Sequence, residues 1–132
     1  MRVLVISPDR NLEQFLEREL ATTGLQVLGS QPGPAMIAAA RATRPEIAVI
    51  QSSEARRGVT ALEHAILRAI QPDVRTIVVS ESLSAADADI VEAGVFYYMS
   101  ASPPVRLPDV VRAAVRSIRE EADRHLRQGE MR

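Results

Sequence analysis

Residues 45–58 read PEIAVIQSSEARRG, and the way the apolar run within them ends decides the fold. Ile47, Ala48, Val49 and Ile50 rise from a polar turn, stop at Gln51, and give way to serines, a carboxylate and an arginine pair. Such a run, apolar at every position and bounded by polar turns, reads as a strand buried on both faces, as central strands of parallel sheets are. Four further short runs surround it at intervals of roughly 20 to 25 residues, the spacing of strands that are each followed by a helix and two turns. These are Val3 to Ile6, Leu25 to Leu28, Thr76 to Val79 and Val95 to Met99.

The intervening segments carry helical patterns. Leu12, Phe15, Leu16 and Leu20 share one helix face, which Gly24 can terminate. Residues 35–43 and 59–70 repeat the pattern more loosely, the second through Leu62, Ile66 and Ile70. A fourth helix is expected from Ser84, a suitable N-cap, to Ala93, with Gly94 closing it. In the fifth, Leu107, Val110, Val111, Ala114, Val115, Ile118 and Ala122 form a continuous stripe with Pro108 in the first turn. Alternating strands and helices imply an α/β fold with a five-stranded parallel sheet, helices on both faces and right-handed crossovers. Gln26 interrupts the second run, which suits an edge strand, so the expected order is the doubly wound 2-1-3-4-5 of flavodoxin-like folds.

A chain of 132 residues is one domain's worth, and folding at this length buries roughly two thirds of the unfolded surface. With 46% hydrophobic and 25% charged residues and a mean hydropathy of -0.02, the composition is that of a globular protein rather than a disordered or membrane one. No run is long enough to span a bilayer, and MRVLVIS lacks a cleavage site, so it reads as a first strand rather than a leader. The chain has no cysteine, which excludes disulfides, thiolate metal sites and cysteine nucleophiles and fits a cytoplasmic setting. A net charge of -1 argues against a general nucleic-acid surface. All 16 basic residues are arginine; there is no lysine. Residues 1–119 are expected to form the domain. Residues 120–132, poor in apolar side chains, should extend the last helix into solvent and fray at Gly129.

In this fold, chemistry sits at the carboxyl ends of the strands, where the order reverses between the first and third. The residues delivered there are Ser7, Pro8 and Asp9, then Gln51 and Ser52, then Ser80 and Glu81, then Ser100 to Pro103. To about residue 120 the chain resembles the receiver domain of two-component response regulators. RVLVISPDRNLEQFLEREL is similar to that family's opening strand and acidic turn, and RPEIAVIQ to its phosphoacceptor strand. RTIVVSES resembles its fourth strand, with a hydroxyl residue, and EAGVFYYMSASP its glycine, aromatic and lysine-proline segment. The resemblance implies an aspartate that takes a phosphoryl group from a histidine kinase, magnesium held by that aspartate and an acidic pair, and a lysine and a hydroxyl on the phosphoryl oxygens. Position by position, most of this is missing. The acceptor is Gln51, whose amide cannot form an acyl phosphate; the acidic pair falls on Ser7 and Pro8, leaving Asp9 as the carboxylate; and the lysine falls on Ala101 or Ser102, which no realignment can rescue. Ser80 and Tyr98 match the hydroxyl and the switch aromatic, and Gly58 stands one residue closer to Gln51 than the family's loop would place it.

The expectation is therefore a degenerate receiver: not an enzyme, with no cofactor or metal, acting in bacterial signalling through protein partners or self-association. The surface proposed for this lies among the fourth helix, fifth strand and fifth helix and includes Tyr98, Arg112, Arg116 and Arg119, since tyrosine and arginine are enriched at interface hot spots. Two alternatives stand beside it. Arg56 and Arg57 could hold an anion or nucleotide over the vacated crevice, against the plainer reading of a solvated loop beside Glu54. The chain could also be the regulatory part of a longer transcription regulator. His64 and His125 read as solvated helix residues, Ser80 has no evident base, and neither GxGxxG nor GxxxxGK[ST] occurs.

Overall fold

A computed structural model describes residues 1–81, 94–100 and 104–130. The strands are β1 (Arg2–Ile6), β2 (Gln26–Ser30), β3 (Ile47–Ser52), β4 (Arg75–Ser80) and β5 (Tyr97–Ser100), all parallel, in the order β2-β1-β3-β4-β5. The helices are α1 (Asn11–Glu19), α2 (Pro34–Thr43), α3 (Arg57–Ile70) and α4 (Leu107–Glu130), with single 3-10 turns at Glu54–Arg56 and Pro104–Arg106. The helix expected over 84–93 lies outside the described residues.

Strand alternation sends side chains to two cores. Val3, Val5, Ile47, Val49, Ile77 and Val79 meet Leu16 and Leu20 near α1 and Leu107, Val111 and Ala114 of α4. On the other face Leu4, Ile6, Ala48 and Ile50 meet Met36 and Ala40 of α2 and Leu67 of α3. Every residue of the IAVI run is fully buried, as a central strand requires, whereas β2 at the edge has no fully buried residue. Gly24, at φ +78, makes the turn from α1 into β2, a conformation that a side chain would strain.

Three expectations shift. Strand β5 begins at Tyr97 rather than Val95, because Phe96 packs its ring on the α1/α4 core from the turn before the strand. Helix α4 runs through Gly129 to Glu130, an interior glycine costing about 1 kcal/mol relative to alanine, which a long helix absorbs. Helix α3 turns only part of its expected apolar stripe inward: Ile66 and Ile70 pack against the core beside Leu67, whereas Leu62 does not. Thr60, Glu63, His64 and Leu67 are buried, while Val59 and Leu62 stand 48% and 60% exposed.

Candidate functional site

The register brings the carboxyl ends of β1 and β3 side by side, Ile6 opposite Ile50, so Ser7 emerges next to Gln51. Ser7 Oγ lies 2.8 Å from Gln51 Oε1 and 2.7 Å from the Asp9 carbonyl, so its one proton serves two acceptors. The Gln51 carbonyl accepts from Arg56 Nη1 at 2.6 Å. Both ends of the glutamine are therefore held by the protein itself. Asp9 Oδ1 accepts the Asn11 N–H at 2.8 Å, a local Asx turn just before α1, whose N-cap residue is Arg10. Beside them a groove of about 290 Å³ is lined by Ser7, Asp9, Glu13, Gly29, Ser30 and Gln31. The Glu13 carboxylate pairs with Arg10 at 3.3 Å and fills the space that a side chain at residue 29 would need.

The receiver resemblance implies magnesium at this place, and the donor set does not fit it. Ser7, Pro8 and Gln51 supply no carboxylate, and Asp9 and Glu13 are engaged elsewhere, whereas magnesium binds through carboxylates in a strict octahedral shell. Ser80 is buried and stands in register with Ser52 rather than with Gln51. Ala101, Ser102 and the side chain of Arg57 lie outside what is described.

Arg56 is neither a solvated loop residue nor a free clamp. Its Nη2 donates to Glu63 Oε1 at 2.6 Å, with side-chain exposures of 20% and 3%, while Nη1 holds the Gln51 carbonyl. Thr60 Oγ1 completes the knot, donating to the Arg56 carbonyl at 3.0 Å and lying 2.6 Å from Ser52 Oγ. Burial pushes the Glu63 carboxyl above its ordinary value, opposed in part by the Arg56 guanidinium and by a backbone bond from Gly33. This buried polar knot ties the loop after β3 to α3, and sequence reasoning missed it. His64 is buried too, against the expectation of a solvated histidine; His125 is exposed, as expected. The available signal was Thr60, Glu63, His64 and Leu67 at i, i+3, i+4 and i+7, which the competing stripe through Leu62, Ile66 and Ile70 obscured.

The four residues assigned to one interface do not share a surface. Alternation places Tyr97 with buried Met99 on the α4 side of the sheet, leaving half-buried Tyr98 on the opposite face; Tyr97 is the more exposed, at 48%. On α4, Ser117 and Glu121 form the flank facing β4, since Arg75 bonds both. Arg112, Arg116 and Arg119 form the other flank, and Arg112 donates to the Glu19 carbonyl at the end of α1. They line a groove with Thr23 and Leu25, across the sheet from β5.

No protein-family model matches the sequence, and no curated protein matches it. Solved structures do. A response regulator from Burkholderia pseudomallei with a phosphorylated aspartate aligns at TM-score 0.69 and 22% identity, covering 92% of this chain and 72% of the other. A response regulator from Thermotoga maritima gives 0.71 and 18%, covering 86% and 96%. An atypical orphan response regulator, described as having a phosphorylation-independent regulatory mechanism, gives 0.70 and 14%, covering 88% and 96%. Likeness at these identities is likeness of fold.

Proposed function

We propose that this chain, whose fold is that of the response-regulator receiver, is a non-phosphorylatable pseudo-receiver: a cytoplasmic signalling module that works by binding protein partners and catalyses no reaction. The observation that carries this is Gln51. It occupies the acceptor place, cannot form an acyl phosphate, and is tied at both ends to Ser7 and Arg56. A sequence without lysine cannot supply the family's phosphoryl contact either. A protein of the same fold is described as regulating without phosphorylation, which makes the reading chemically ordinary for this architecture. With no phosphoryl group to bias two states, any switching comes from a partner with unequal affinity for them. Residues 1–119 would form the receiver unit, with 120–132 as its helical extension.

The competing reading, a small-anion sensor at Arg56 and Arg57, is weakened by the commitment of Arg56 to Glu63 and to the Gln51 carbonyl. Capture from lysate with tagged protein separates the two. A partner retained by wild type and by Gln51→Ala, unaffected by prior acetyl phosphate treatment, and lost with Tyr98→Ala or Arg116→Glu supports the interaction module, provided circular dichroism shows the variants folded. Loss with Gln51→Ala and indifference to the other two would overturn it in favour of the sensor.

A further inference from the structure

A groove of about 460 Å³ lies between α4 and the start of β2, along the arginine row. Its floor is apolar, with Leu25 on one side and Val115 on the other, and its rim carries Arg112, Arg116 and Arg119. Asp109 stands at one end, 3.0 Å from Arg112. Arg112 spends its remaining reach on the Glu19 carbonyl, whereas Arg116 and Arg119 are exposed and make no hydrogen bond or ion pair among the described residues. The chain as a whole carries a charge of -1, so this flank runs against the molecular average.

We propose that this groove docks an acidic peptide segment of a partner protein, one whose carboxylates meet Arg116 and Arg119 while apolar side chains between them rest on Leu25 and Val115. This rests on the pseudo-receiver reading and gives its partner a chemistry. Charge complementarity selects an anion, and the arrangement selects a peptide. The arginines are spread along about 10 Å of the helix axis, from the rise over Arg112 to Arg119, a spacing that suits a row of carboxylates better than a single phosphate. Carboxylates at i, i+3 or i+4, and i+7 of a helix repeat at the same interval and can bear leucines between them. Asp109 sets the polarity, because it repels a carboxylate at the Arg112 end and directs the acidic run toward Arg119.

The test is fluorescence anisotropy of a short labelled helical peptide with glutamates at that spacing and leucines between, against a scrambled peptide of the same composition and against pyrophosphate. The patterned peptide should bind, weaken with added salt, and lose on the order of tenfold in affinity with Arg116→Glu/Arg119→Glu. That double variant should in turn recover binding to a peptide whose glutamates are replaced by arginines. Equal binding of the scrambled peptide, no response to the double variant, or saturable binding of pyrophosphate alone would overturn the proposal. None of these outcomes bears on whether the protein can be phosphorylated, so the two readings fail separately.

Discussion

Glu63 shows how one residue can recast a site. Its carboxylate is nearly inaccessible, with Oε1 on the Arg56 guanidinium. Burying a charge costs several kcal/mol unless it is paired, so the Arg56 contact offsets a penalty that would otherwise protonate the group. The consequence for stability follows from the direction of the shift. A carboxyl whose folded pKa is raised above its unfolded value of 4.5 binds its proton more tightly when folded. Its contribution is full below about pH 4.5 and is lost as pH rises through the raised folded value. We expect urea midpoints of wild type to fall relative to those of Glu63→Gln as pH is raised from mildly acidic to neutral. A constant offset between the two would show that Glu63 does not titrate differently on folding. Gln51 was legible in the sequence because a strand end announces its position. Glu63 was not, because a carboxylate on a helix is solvated far more often than buried, and its partner Arg56 reads as loop.

At the scale of elements, strands were easier to read than helix faces. The runs VLVI, IAVI and TIVV admit one burial pattern, since a strand covered on both sides needs apolar residues everywhere. Helix α3 admits two. Its core face takes Leu67, with Ile66 and Ile70 at its border, and the polar knot with Ser52 and Arg56 adds Thr60 and Glu63 while leaving Val59 and Leu62 exposed. Leu67→Ala is expected to cost about 2–5 kcal/mol, as deletion from a core does, and Leu62→Ser to stay within about 0.5 kcal/mol. Denaturant unfolding of the two variants reads this directly; a larger loss at Leu62 than at Leu67 would place Leu62 on the core. Helix α4 shows a similar limit. Its inward stripe was legible from Leu107 to Ile118, but which flank faces α1 depends on the packing of Arg75 against Ser117 and Glu121, which sequence spacing does not encode.

For the whole molecule, the sheet order was predictable because each connection is a crossover whose hand is fixed and whose edge strand is marked by a polar interruption. Function followed less directly, because a fold shared by many proteins leaves chemistry to its loops. Here the strand ends carry little reactive chemistry: the Gln51 side-chain amide accepts from Ser7 while its backbone carbonyl accepts from Arg56, the Asp9 carboxylate accepts the Asn11 N–H, and Glu13 pairs with Arg10. The central claim is that this receiver fold has no phosphoryl chemistry. Incubation of the intact protein with acetyl phosphate and magnesium, followed by whole-protein mass spectrometry at neutral pH, tests it most directly. We expect the mass to remain that of the untreated chain; the appearance of a phosphoryl adduct that hydroxylamine removes would contradict the account.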